Sequence, residues 1–266
     1  GLGYKTSDVA ACLNVAEDHL GLGGIETVEQ LAEIKRVVVE VATDTAVLNA
    51  DDELCLRMAD YTQATHLCYV TMNPAHPLVR EHVQSGSPAM VLEQGINGDM
   101  ITLYDKGAHF PLLWTYLIPA TLEGKATHNV QNAMFAAALA YAMGKSLDDI
   151  RDGLRTFNST FYQAPGRMNV FDELPFKVIL DYGHNAAAIG AVCQLVDRLE
   201  VTGRRIAVLA APGDRRDQDV LAIADATASH FDYFICKADG NRRGRGDDEV
   251  PRMMQGRLLE QDVEAG

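Results

Sequence analysis

Two side chains near the amino end carry more chemistry than their surroundings require. His19 follows Glu17 and Asp18 at the end of an apolar run, and Lys35 lies on the helix that comes next. On a helix turning about 100° per residue, Val28, Leu31, Ala32, Val38, Val39 and Ala42 share one face, with Lys35 near its middle. Glu29, Glu33, Arg36 and Glu40 collect on the other side, so the helix has a solvent face without Lys35. A lysine turned toward a core costs energy unless it is paired or modified. Either its stem packs while its head reaches water, or its amine is kept neutral by desolvation and is open to catalysis or carbamylation. His19 by itself reads as a surface or capping histidine, and Lys35 is what raises a metal role for it.

Other candidates stand further along. Asn129 and Asn132 follow His128 at the start of an alanine-rich helix, one turn apart on one side. A capping role accounts for Asn129 but leaves Asn132 over, and a side-chain amide on a small-residue surface suits a flat ligand such as a nucleotide base. Asp181, His184 and Asn185 lie at the carboxyl end of the apolar strand FKVIL, where open α/β sheets place ligands. The loop GDRRDQD puts Arg215 and Arg216 ahead of a helix, as an anion site or as a solvated charge run. In ADGNRRGRGDDE, Arg242, Arg243 and Arg245 precede Asp247, Asp248 and Glu249, a composition able to hold a zwitterion or to satisfy itself.

The elements that must position these residues alternate. Val9 to Val15 reads as a buried strand ending in the AEDH turn and a glycine loop. Thr27 and Gln30 form a capping box for the long helix. Thr45 to Asn49 is a strand, Asp51 to Tyr61 a helix and His66 to Thr71 a strand, a parallel α/β pattern. Residues 88–122, broken at Asn97-Gly98 and Lys106-Gly107, read as an antiparallel patch. Helices follow at His128 to Met143 and Leu147 to Phe157. Pro165 and Gly166 mark an aperiodic boundary, which divides the chain into domains at 1–162 and 163–266. Beyond it, short strands and helices repeat as in a small doubly wound domain.

Composition narrows the function. With 47% apolar residues in 266, the chain can bury a large core. A formal charge of −14 argues against nucleic acid or an anionic membrane as the main partner. The five cysteines are widely spaced with no CxxC pair, which fits reduced thiols in the cytoplasm rather than a disulfide scaffold. The longest apolar run, residues 133–143, is too short to span a bilayer, and no signal-peptide pattern is visible. The sequence contains no GxxxxGK[ST], no GxGxxG after a strand, no HExxH and no GxSxG. It starts at Gly1 with a strand almost at once, which points to a piece of a longer protein.

Taken in order, DVAACLNVAEDHLG, Lys35, AVLNADDE, HNVQNAMFAAALA, APGRMNVF, LDYGHNAAA and GDRRD resemble the Mur ligase family over essentially the whole chain. The resemblance implies an α/β fold: part of a central ATPase-like domain, then a Rossmann-like C-terminal domain. It implies an ATP- and magnesium-dependent amide ligase that phosphorylates a carboxylate and lets an amine attack the acyl phosphate. The likeness is nearest to the module that joins arginine to aspartate side chains of the polymer cyanophycin. That implies cyanophycin polymer or primer and arginine as partners, an ATP-grasp module upstream, and a homo-oligomer. Other Mur-type ligases, acting on a cell-wall precursor or folylpolyglutamate, and a degenerate scaffold or polymer-binding module are the alternatives.

By resemblance, His19 is a magnesium ligand and Lys35 the carbamylated lysine of a second magnesium. Asn132 lies near the adenine, Arg167 reaches ATP, and Asp181, His184 and Asn185 close over the nucleotide. Arg215, Arg216, Arg242 and Arg243 face the incoming amino acid. Ala186 stands where relatives usually carry proline, a first helical position that alanine tolerates. The family's phosphate loop and acidic magnesium ligand belong upstream, so the resemblance implies that this chain alone does not ligate.

Overall fold

The structure is a computed structural model that describes residues 3–18, 20–240, 242–261 and 263. It divides into two compact units, one of residues 1–16 and 27–165, the other of residues 17–26 and 166–266. The segment that leaves the first strand and carries Asp18 thus groups with the second unit.

The first unit is built on one six-stranded sheet in chain order: β1 (Ser7–Cys12), β2 (Ala42–Asn49), β3 (His66–Thr71), β4 (Ala89–Gly95), β5 (Gly98–Asp105) and β6 (Ala108–Trp114). The first four run parallel, and β4, β5 and β6 pair antiparallel. The antiparallel patch is therefore not separate. Ala89, Met90 and Val91 pair on one side with β3 and on the other with β5, so β4 belongs to both patterns.

Helix α1 (Val28–Glu40) starts at the Thr27–Gln30 capping box, both halves of which form. Ala42 lies in β2, outside the helical face drawn from the sequence. The expected helix at Asp51 to Tyr61 is shorter: α2 (Glu53–Arg57) is capped by Asp52 and runs into a 3-10 turn. Helix α3 (Pro77–Gln84), absent from the sequence reading, starts on a proline at its first turn. Residues 115–121 form two 3-10 turns rather than a strand.

Helix α4 (Thr127–Ala142) lays Val130, Met134, Phe135, Ala137 and Ala138 into the main core, against Val70, Met90, Ile101 and Leu103 of the sheet. Its alanines let it lie close to the sheet. Helix α5 (Leu147–Thr156) adds Ile150 and Leu154. Among the described residues no helix is long and apolar enough to cross a membrane.

In the second unit, β7 (Asn169–Phe171) and β8 (Val178–Leu180) pair antiparallel, while β9 (Ile206–Leu209) and β10 (Tyr233–Cys236) pair parallel. The expected doubly wound sheet appears among the described residues as these two short pairs. Helices α6 (Ala186–Arg198), α7 (Asp217–Thr227) and α8 (Glu249–Glu260) complete it. Val220, Ile223, Ala224, Val250, Met254 and Leu258 of α7 and α8 pack on Ala207 and Leu209 of β9.

Candidate functional site

The carboxyl edge of β1 to β3 is tied by the NADD segment. Strand β1 stops at Cys12 rather than Val15 because the next groups bond to side chains. Asn49 Nδ2 donates to the Leu13 carbonyl at 2.6 Å, and the Val15 amide donates to Asp52 Oδ2 at 2.8 Å. The other oxygen of Asp52 accepts from the Cys55 amide at 2.9 Å and so caps α2. Asp51 accepts from the Thr71 hydroxyl at 2.5 Å and the Met72 amide at 2.6 Å.

Next to this edge the Cys55 thiol approaches Cys12 Sγ at 3.4 Å. That hydrogen bond holds the Cys12 thiol below its usual pKa against the effect of burial, with the Lys35 charge pulling the same way. Cys55 is pushed up by the same hydrogen bond and by burial. Lys35 is half-buried and forms no ion pair with a described residue. On the same helix Ile34 and Val37 are exposed, while Leu31, Ala32 and Val39 are buried, so the buried stripe is narrower than the sequence implies.

Asn132 is exposed near the start of α4. Its amide donates to Asn129 Oδ1 at 3.2 Å, and Asn129 in turn donates to the Ala120 carbonyl at 2.7 Å. Asn129 therefore anchors the preceding 3-10 turn rather than capping the helix, whose N-cap is Ala126. Asn132 is steadied by that anchored neighbour.

In the second unit two separate sequence features converge on Asp18. Arg215, whose side chain is 6% exposed, forms an ion pair with Asp18, its Nη2 lying 3.1 Å from Oδ1, and His184 Nε2 lies 3.6 Å from Asp18 Oδ2. His184 Nδ1 donates to the Tyr182 carbonyl at 3.0 Å, which fixes the ring with Nε2 toward the carboxylate. Asp181 serves the backbone, accepting from Gly183 N at 2.7 Å and Met168 N at 2.9 Å. Asn185 caps α6 through the Ala188 amide.

Arg167 is exposed, its guanidinium 5.8 Å from the Tyr182 ring centroid. It follows Gly166, whose φ of +69° favours glycine and where a Cβ would stand 3.1 Å from the Tyr182 ring.

The arginines flagged in the two loops are already paired. Arg216 grips Asp219 with two bonds of 2.9 and 2.7 Å and lies 3.8 Å from Glu17. The Asp219 contact raises its pKa further, so its charge is permanent. Arg242 meets Asp247, and Arg243 meets Asp214. Arg245, to which the sequence reading gave no separate role, bonds the Gly213 and Arg215 carbonyls at 2.9 and 2.6 Å and the carboxylates of Asp217 and Glu249, each at 2.7 Å. Sequence reasoning named Asp18 and the loop acids without assigning them. Their alternation with arginine was the available signal. His19 lies outside the described residues.

Among the described residues no three His, Cys, Asp or Glu side chains converge as a metal site. Lys35 offers an amine, whereas magnesium takes oxygen ligands. Its carbamate would supply them.

This chain belongs to the Mur ligase family: residues 4–140 match the Mur ligase middle domain, and residues 166–266 match the Mur ligase, glutamate ligase domain. It is similar to the cyanophycin synthetase of Trichormus variabilis, 42% identical over 92% of this chain and 27% of that protein. It is also similar to a UDP-N-acetylmuramoyl-L-alanyl-D-glutamate--2,6-diaminopimelate ligase of Corynebacterium efficiens, 28% identical over 95% of this chain and 44% of that protein. The chain spans less than a third of the length of the cyanophycin synthetases it matches. In fold it resembles the Mycobacterium tuberculosis folylpolyglutamate synthase complexed with ADP and AMPPCP, with a TM-score of 0.66, 20% identity, and coverage of 97% of this chain and 53% of that one.

Proposed function

We propose that this chain is the Mur-type module of a longer cyanophycin synthetase that joins arginine to aspartate side chains through an acyl phosphate. The observation that carries the reading is the meeting of His184 of the DYGHN segment and Arg215 of the GDRRD loop on Asp18 in the second unit. The greater identity to cyanophycin synthetase than to the diaminopimelate ligase favours arginine over a cell-wall substrate.

Bound ATP and magnesium supply the phosphoryl group and neutralise its charge. This chain's residues bind and orient. Lys35, as its carbamate, and His19 provide metal ligands, Asn132 meets the adenine, and Arg167 reaches the phosphates. Asp181 and Asn185 fix the turn that presents His184. The loops carrying Arg215, Arg216, Arg242 and Arg243 face the incoming amino acid. The cyanophycin polymer is the acceptor, an ATP-grasp module precedes this one, the assembly is a cytoplasmic homo-oligomer, and the chain on its own is inactive.

In the full-length protein, Lys35→Ala and His184→Ala are each expected to abolish arginine-dependent ATP hydrolysis in the presence of primer polymer. Full activity in either variant would sink the site assignment. Turnover that responds to a cell-wall amino acid but not to arginine would move the protein to the alternative substrate class.

A further inference from the structure

Two loops follow the carboxyl ends of the parallel strands β9 and β10, the position where open α/β sheets take ligands. They are in backbone contact, since a Cβ built on Gly213 would stand 1.9 Å from the Arg242 carbonyl oxygen. Two of the arginines here are held several times over. Arg245 has two carbonyls and two carboxylates, and Arg216 has both oxygens of Asp219.

Asp214 differs from these. Its side chain is 17% exposed, and among the described residues the donor that reaches it is Nη1 of Arg243, on Oδ2. Its Oδ1 is buried with no hydrogen-bond partner among the described residues. Arg243 is itself 48% exposed and sits at φ +46°, in the left-handed region that disfavours a residue with a Cβ. A half-satisfied carboxylate is therefore met end-on by one N–H from a strained, solvent-facing arginine. A free guanidinium could instead bring two parallel N–H groups to both oxygens.

We propose that Asp214 takes the side-chain guanidinium of the incoming amino acid, and that Arg243 holds its place until the substrate displaces it. This rests on the reading that the amino acid is arginine. The site discriminates by charge and by fork geometry. Lysine offers the charge without the planar fork, and citrulline, a neutral isostere, offers the shape without the charge.

The test is steady-state, primer-dependent ATP hydrolysis by the full-length protein, with arginine or citrulline as the varied substrate. Asp214→Asn should raise KM for arginine about tenfold or more while leaving kcat and the KM for ATP within about twofold, the signature of a lost binding contact. Its preference for arginine over citrulline should shrink in proportion. Arg243→Ala, which removes the competitor, should lower KM for arginine.

An unchanged KM in a folded Asp214→Asn, with the wild type still arginine-dependent, overturns this inference and leaves the proposed function standing. So does a rise in KM in Arg243→Ala, which would make Arg243 the contact; this arm decides the matter if Asp214→Asn fails to fold. A wild type that does not respond to arginine fails at the proposed function itself.

Discussion

Two strand edges, one in each unit, use their charges in opposite ways. At the edge of β1 to β3, Asp51 and Asp52 accept chiefly from backbone amides and a neighbouring hydroxyl, so the acids fix the path of the chain. At the edge of β9 and β10, Asp214, Asp219 and Asp247 face arginines, two of them half-exposed. A carboxylate bonded to backbone can exchange partners only by moving the chain. One bonded to an arginine side chain can exchange it for another cation at the cost of a rotamer change. The first edge is built as a scaffold and the second as a surface able to read a charged ligand.

The sharpest way to break this contrast is to part the two loops. Gly213→Ala would force its methyl into the Arg242 carbonyl, and neither backbone can yield without moving a loop. Overpacking of this kind costs about 1–3 kcal/mol, so arginine-dependent turnover is expected to be lost with a measurable drop in melting temperature. Wild-type behaviour in both measurements would show that the loops need not touch.

Asp52→Ala tests the scaffold. It leaves the Val15 and Cys55 amides without their acceptors, at a cost of about 1–3 kcal/mol, and hydrogen exchange at those two amides should accelerate. Unchanged protection would mean that the exit from β1 is held by something else.

The smallest effect concerns pH and the first unit. Burial holds the His82 pKa below its ordinary 6.5, against the Leu67 and Pro88 carbonyls, which pull it up. The folded state then binds fewer protons than the unfolded one. The stability it contributes is present above about pH 6.5 and is lost as pH falls through the lowered folded-state value. Melting temperatures compared near neutrality and in mild acid should show this slope, and His82→Gln should flatten it. An equal slope in the variant would assign the acid sensitivity to other groups.

Much of the scaffold was legible because local chemistry decides it. The Thr27–Gln30 capping box, the β-branched strands and the glycine turns each follow from residues within a few positions of one another. The sequence reading also placed Asp181, His184 and Asn185 at one edge, which needs only the strand before them. It misread the 51–61 helix and the 115–121 strand, because there 3-10 geometry and capping by Asp52 overrode the pattern. It also extended β1 to Val15, since no local signal shows that Asn49 and Asp52 would claim the backbone groups of residues 13 and 15.

By itself, then, the sequence determined most of the elements, their order and the inventory of charges, all set by nearest neighbours and periodicity. Only the tertiary structure decided which charge meets which. Asp18 lies far along the chain from Arg215 and His184, and Asp214 far from Arg243, and no spacing rule reaches across such separations. The second pairing depends on how strands β9 and β10 bring their following loops side by side. The same packing leaves one oxygen of Asp214 buried without a hydrogen-bond partner among the described residues.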